Sequence, residues 1–590
     1  MNPAKVQLEI NGDKLVKKET FETLFIEMTW EPVLPRCQCR AATRRNAMRR
    51  GGEYVVTLTD ARYKLLVDLR KNNKIKGSAK EINTMRGKLR EIGFFLILAQ
   101  FSCQMTEQVS PDYYTAAVVE YSPTYVWGDA LKTLTSNTNA YIKYIEEASK
   151  QNADIIVFPE DGLTSTNLPS RISLMDAWTT AIPSPLDEYV PCTGTEINIS
   201  ETLKRLSCAA RRNRIYVVVN IAEKELIIKD TDCSNGTWHY YNSNVVFDRT
   251  GKVIARYRKV NLYMEPQFDN TEIPEIVTFD TDFGERFGTF ICFDILFAVP
   301  ALNLTRIEGV SNIVYPTAWF SEAPFLTAPQ TQFGWSYAEN VNLLVAGYHD
   351  PNVGNAGSGI YLGRNGIANV SMTRDPEYRL LISRVPKTKH RKTVMEQESP
   401  NKEREDQEME GNESSKKVDT IDWIKLLRDN IKAYRTSLLK YHRNEVHLMS
   451  KDFRCQVEAE MEIDDSSPIR YNAVYFDDIR QFGTRVEAGV RLCGLVQCLN
   501  NSVESCGFVA RSNTIFSSIK VTATFLNYDY PKILAIPNVL DYSLRPFDDW
   551  SYVENTHGAE TNVTITLNKP MKNLVAFGIY SRFFDRDRWN

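Results

Sequence analysis

Three reactive side chains each follow directly on a short apolar run: Glu160 in VFPE, Lys259 in ARYRKVNL and Cys292 in GTFICFD. The end of a strand is where α/β proteins expose functional groups. A thiol offers a nucleophile, a carboxyl can take and return a proton, and an ammonium supplies fixed positive charge. Each residue also has a plainer reading: a solvated loop Glu, a surface Lys, a small core Cys. Other chemistries find less support. The histidines 239, 349, 390, 442, 447 and 557 form no HExxH or Cys-His zinc pattern, and no Gly-rich Lys-Ser/Thr phosphate loop occurs. The sequence calls for no cofactor, whether metal or nucleotide.

The elements that must carry these residues alternate regularly from Thr115 onwards. AAVVEY (116–121) and DIIVFPE (154–160) read as strands, and between them Leu131, Leu134, Tyr141, Ile145 and Ala148 recur at helical spacing. ETLKRLSCAARRN reads as a helix leading into the strand IYVVVNIAE. NVVFD and VIARYRK flank Arg249, Thr250 and Gly251, a hairpin signal. GTFIC, a helical stretch, NIVYPTAW, a helix around 332–342 and LLVAGYH complete the series. Strands apolar at nearly every position need cover on both faces, and hairpins are antiparallel, so the expectation is an α/β domain over 110–386 with a mixed sheet flanked by helices.

Residues 387–418 are almost wholly polar or charged, and predict a disordered insertion, with a solvated helix as the rival. After it an amphipathic stretch, IDWIKLLRDNIKAY, precedes short runs rich in Val, Thr, Tyr and Phe, so 419–590 should be a mostly β domain.

The order Glu, then Lys in an R-K-x-N-L setting, then Cys followed by Phe-Asp resembles the nitrilase superfamily. IYVVVNIAEK, NVVFDRTGKVIARYRKVNLYMEPQF, EIVTFDTDFG, FICFDILF, IVYPTAWF and GSGIYLG resemble its vanin and biotinidase branch over roughly residues 113–588. The resemblance implies a four-layer αββα sandwich followed by a smaller β-rich domain. It also implies Glu160 as general base, Lys259 as catalytic lysine and Cys292 as nucleophile. Amides are poor electrophiles with poor leaving groups. Cys292 would attack, Lys259 and the backbone N–H after Cys292 would stabilise the oxyanion, and Glu160 would shuttle the proton. A nucleophilic Cys292 is expected to have a lowered pKa and to react quickly with thiol reagents. Glu265, in YMEPQF, would be a second carboxylate bracing Lys259. Trp319 would line the substrate pocket or serve as a core aromatic.

Several features point to export. Residues 85–104, MRGKLREIGFFLILAQFSCQ, follow the grammar of a secretory signal, with an apolar run from Ile92 to Phe101 too short for the ~30 Å bilayer core. The expected biological start is therefore Met85, with residues 1–84 as an atypical basic extension. The alternative is a real N-terminal domain with 92–101 in its core. Cysteines beyond the signal are expected to pair as Cys192 with Cys233 and as two bridges among Cys455, Cys493, Cys498 and Cys506, leaving Cys208 as a buried inert thiol. Glycosylation sequons stand at Asn198, Asn235, Asn303, Asn369, Asn412, Asn500 and Asn562. The chain ends in RFFDRDRWN, without the apolar tail of a lipid-anchor signal or a membrane span.

A net charge of -3 gives no global reason to expect nucleic acid or an anionic membrane as partner. The leading expectation is a secreted hydrolase taking a small-molecule amide, with pantetheine cleaved to pantothenate and cysteamine. A biotin amide or another small linear amide is the enzyme alternative. A catalytically silent secreted binding module is the alternative from another class.

Overall fold

The computed structural model describes residues 112–589, except 170, 196–198, 229–235, 375–378, 389–417, 465, 485 and 527–531, together with four strands before residue 109. Residues up to Val109 form one unit and those from Ser110 a second. In the first, Lys5–Val6, Arg45–Arg50, Glu53–Leu58 and Lys64–Val67 pair into one sheet. The signal-like segment 85–104, nearly all of the charged stretch 387–418, and Asn198, Asn235, Asn412 and Cys233 lie outside the described residues.

The second unit begins with two six-stranded sheets. In the first sheet, β1 (Tyr113–Glu120), β2 (Ile155–Val157), β3 (Tyr216–Ile228), β4 (Gly236–Phe247) and β5 (Val253–Arg258) follow one another, and a late strand, Arg379–Pro386, closes the edge beside β1. The second sheet runs β6 (Thr278–Asp280), β7 (Arg286–Thr289), β8 (Asn312–Thr317), β9 (Asn342–Gly347), β10 (Ser358–Leu362) and β11 (Ile367–Ser371). Both are mixed: β1, β2 and β3 are parallel, as are β7, β8 and β9, while the β4–β5 hairpin and β10–β11 are antiparallel.

Side-chain alternation explains why these strands read as unbroken apolar runs. Along β1, Tyr114, Ala116 and Val118 pack against Phe287, Val314 and Leu344 of the opposite sheet, while Ala117 and Val119 pack under helices. Those helices are α1 (Ala130–Lys150) and α3 (Glu201–Asn213), with the short α2 (Arg171–Trp178) between them in the chain. Asp129 caps α1 by accepting from the Lys132 N–H, and Ser200 caps α3 by accepting from the Leu203 N–H. The buried stripe of α1 runs through Ala130, Thr133, Asn137, Tyr141 and Ile145. Leu131, expected in that stripe, lies one position round the helix and is 76% exposed. On the far side, α4 (Ala328–Glu339) covers the second sheet through Phe333 and Trp335. The layers are therefore helix, sheet, sheet, helix, with two mixed sheets where the strand pattern alone predicts one.

The C-terminal part is built from two antiparallel sheets. One orders Arg435–Leu438, Arg470–Phe482, Val486–Cys498, Leu574–Phe583 and Ile533–Asp541; the other orders Arg443–Met449, Phe453–Glu462, Ile515–Leu526, Glu560–Leu567 and Trp550–His557. It seats directly on α4: Gln330 Nε2 donates to Asn538 Oδ1 at 2.8 Å, and a Cβ at Gly334 would stand 2.4 Å from the Pro537 carbonyl. The stretch 421–434 supplies a short strand, Leu427–Arg428, that pairs in parallel with Glu322–Ala323.

Disulfides join Cys455 to Cys493 and Cys498 to Cys506. The third bridge corrects the sequence expectation: Cys192 pairs with Cys208, not with Cys233. Helix α3 presents Cys208 to the loop carrying Cys192, with their Cα atoms 4.8 Å apart. Cys208 is thus no inert thiol, and Cys292 is the free cysteine among the described residues.

Candidate active site

Strand ends of both sheets deliver the reactive residues to one edge. Glu160 follows β2, Lys259 is the first residue after β5, Cys292 follows β7, and Ala318 follows β8. Lys259 and Glu160 are each 2% exposed. The Lys259 ammonium donates to Glu160 Oε1 at 2.7 Å and to Glu265 Oε2 at 2.6 Å. Asn242, on β4, bridges the same two carboxylates: its Nδ2 donates to Glu160 Oε1 at 2.8 Å and to Glu265 Oε1 at 2.6 Å. The Asn242 amide is held this way round because its Oδ1 accepts from Asn220 Nδ2 at 2.6 Å. Glu160 Oε2 accepts from the Ala318 N–H at 2.7 Å, which leaves that oxygen with room for one further donor.

Cys292 opens a short turn, Cys292–Leu296, from a backbone φ of 46°. This left-handed conformation is uncommon for a side chain of this kind, and such outliers cluster at functional sites. Asp294 fixes the turn. Its Oδ2 accepts from the Ile291 N–H at 3.0 Å and the Tyr257 hydroxyl at 2.7 Å; its Oδ1 accepts from the Asn261 N–H at 2.9 Å and the Asn261 side chain at 2.8 Å. One buried carboxylate therefore ties the cysteine turn to both sides of Lys259. The Tyr315 hydroxyl donates to the Cys292 carbonyl at 2.7 Å from below.

The electrostatics follow from burial and from three like-charged neighbours. Burial pushes the Cys292 thiol well up, Glu160 adds to this, and Lys259 opposes it. This direction runs against the sequence expectation of a low-pKa thiol, because the dry surroundings and the Glu160 carboxylate outweigh the Lys259 ammonium. Burial also works against charge on Lys259, but Glu160 and Glu265 overcome it and hold the ammonium well above its usual range. Asp161 is pushed well above the carboxylate range by burial and by Glu160 and Glu265. Burial lifts Asp294 to about 6.

Cys292 lines a small open cavity with Tyr263, Phe293, Trp319, Glu322 and Phe482 among its walls. Trp319 faces it with the indole N–H donating to the Leu326 carbonyl at 2.8 Å. The structure thus brings Glu160, Lys259, Glu265, Cys292 and Trp319 to one place. Sequence reasoning missed Asn242, Asp294 and the contribution of Phe482 from the C-terminal part. Asp294 had a signal, two residues beyond the cysteine; Asn242 and Phe482 had none.

Comparison with known proteins identifies the family. The carbon-nitrogen hydrolase family matches residues 115–328, and the Vanin C-terminal domain family matches residues 424–587. Vanin-like protein 1 of Drosophila melanogaster is 34% identical over 82% of this chain and 88% of its own length. The chain belongs to the vanin family. A pantetheinase of Sus scrofa is 32% identical over 78% of this vanin-family chain and 85% of its own length. A biotinidase of Takifugu rubripes is 41% identical over 44% of this chain and 52% of its own. Like its family, this vanin-family protein is a hydrolase of carbon-nitrogen bonds other than peptide bonds, with an α/β hydrolase domain followed by a β domain. Among the described residues no helix is long and apolar enough to cross a membrane.

Proposed function

We propose that this chain is a secreted amidohydrolase that cleaves pantetheine to pantothenate and cysteamine through a thioester on Cys292. The observation that carries the reading is the Lys259 ammonium, held between Glu160 and Glu265 beside a neutral, buried thiol. Glu160 takes the proton from Cys292 as sulfur attacks the amide carbon. Lys259 and the Phe293 N–H stabilise the oxyanion that forms, where fixed donors in a dry site act far more strongly than in water. The tetrahedral carbon collapses, the C–N bond breaks, and Glu160 returns the proton to the leaving amine. A water then loses its proton to Glu160 and attacks the thioester; the acid leaves and the proton returns to sulfur.

A neutral resting thiol suits this cycle, because proton transfer to Glu160 is then coupled to attack on a correctly placed carbonyl. Glu265 and Asn242 hold Lys259 and Glu160 in register and are positioning residues. The disulfides support export, and the relative named pantetheinase supports this substrate. A biotin amide is the second reading, favoured by the 41% identity to a biotinidase over 44% of this chain. The test is product formation by the purified protein, with pantothenate and free biotin measured in parallel by mass spectrometry. Pantothenate release should dominate and should fall below about 1% of wild type in Cys292→Ala, the loss expected for a nucleophile. Preferential biotin release would favour the second reading, and binding without turnover of either amide would favour a silent module.

A further inference from the structure

Among the residues lining the cavity that Cys292 opens into, Glu322 is the only carboxyl; its neighbours there are the apolar or aromatic side chains Tyr263, Phe293, Trp319, Phe320 and Phe482. Its backbone is fixed from two sides. Glu322 and Leu326 exchange N–H to carbonyl hydrogen bonds at 3.0 and 2.8 Å, and Glu322–Ala323 pairs with the strand Leu427–Arg428. One carboxylate oxygen, Oε1, accepts from Arg480 of the C-terminal part. The other has no hydrogen-bond partner among the described residues, and the side chain keeps 19% of its surface open.

Arg480 cannot follow a substrate. Its Nε lies 3.4 Å from Asp429 Oδ1, and its guanidinium sits 4.5 Å from the centre of the Phe482 ring. A planar guanidinium clamped in this way holds one geometry. It also offsets much of the charge of Glu322, so the cavity presents a strong acceptor without a large preference for cations. Asp429 adds a further negative charge behind it, which disfavours an anionic substrate. The second oxygen is accessible and has lone pairs free to accept from a further donor.

We infer that Glu322 is a specificity-determining residue, accepting a hydrogen bond from an uncharged hydroxyl-bearing chain of the substrate, with Arg480 as its positioning residue. The C-terminal part then completes the substrate site through Arg480 and Phe482. This rests on the amidase reading above, and pantetheine, whose acyl chain carries two hydroxyls, fits it.

The experiment compares pantetheine with an analogue whose acyl hydroxyls are replaced by hydrogen, using wild type, Glu322→Gln and Arg480→Lys. In Glu322→Gln, KM for pantetheine should rise about tenfold with kcat within about twofold, the loss expected for one charge-assisted hydrogen bond. KM for the deoxy analogue should change less than about twofold. Arg480→Lys keeps the charge but loosens the carboxylate, and should show a smaller rise confined to the hydroxyl-bearing substrate. Equal changes for both substrates, or none for either, would overturn the role of Glu322 while leaving the amidase reading intact. Wild-type turnover of neither amide would overturn the substrate reading itself, and this inference with it.

Discussion

Glu160→Gln should make Cys292 more reactive to alkylation while ending catalysis, a pair of outcomes that a simple loss of function would not give. The Glu160 carboxylate is one of the influences that raise the Cys292 thiol, second only to burial, and Lys259 is the main one that lowers it. Exchanging the carboxylate for an amide removes the repulsion but leaves the ammonium in place, still paired with Glu265 at 2.6 Å. A unit charge at ~4 Å through an effective dielectric of ~20 is worth about 4 kcal/mol, or roughly 3 pH units. Since burial persists, the midpoint of the alkylation profile should fall by about 1 to 3 pH units. Turnover should fall by about 10²- to 10⁴-fold, the usual contribution of a general acid-base group. The assay is the rate of iodoacetamide labelling of the Cys292 peptide from pH 6 to 10, followed by mass spectrometry, beside amide turnover. A midpoint that stays put or moves up in Glu160→Gln would refute the electrostatic account of the thiol.

Other consequences are open to direct measurement. Asp294, lifted to about 6 by burial, holds its proton in the folded state above the pH at which it loses it in the unfolded chain. Its contribution to stability therefore falls as pH rises from about 4 to about 6, by roughly 3 kcal/mol in all. Asp294→Asn lacks this titration but cannot accept from every donor now bound, so its melting temperature should lie below wild type, and the gap should narrow between pH 4 and 7. Lys259→Met leaves Glu160 and Glu265 buried without their cation and should cost about 3 to 5 kcal/mol near neutral pH, read as a lower denaturant midpoint that partly recovers in acid. Gly334→Ala forces a Cβ to within 2.4 Å of the Pro537 carbonyl. It should lower stability by about 1 to 3 kcal/mol with little change in KM, measured by calorimetry and steady-state kinetics.

How much of this was readable beforehand depends on whether the signal was local. Strand apolarity and helical spacing are local, and β1, β2, β3, α1 and α3 lie where the sequence pattern places them. The number of sheets was not local: whether β7, β8 and β9 extend the first sheet or stack on it depends on contacts such as Tyr114 with Phe287, far apart in the chain. Leu131 shows the limit of periodicity, since one residue of angular error moves a side chain from core to solvent. Glu160, Lys259 and Cys292 each follow a strand as the pattern places them, but singly each had a plainer reading, and it was their order and motif contexts that marked them as candidates. Asn242 was not legible, because an asparagine inside an apolar strand has no meaning until the carboxylates it bridges are in place. Cys208 was misjudged because helix spacing says which face a thiol occupies but not which loop crosses that face. The thiol's raised pKa was invisible for a related reason: it is set by a balance of burial, Glu160 and Lys259 that only the assembled site defines.

In the proposed mechanism the sulfur of Cys292 becomes covalently acylated during turnover. Wild-type protein mixed with pantetheine, quenched in acid within a turnover and digested, should yield the peptide containing Cys292 carrying the pantothenoyl group, which water then discharges as pantothenate. Steady pantothenate release with that peptide unmodified at every quench time, or with the acyl group on another residue, would contradict it.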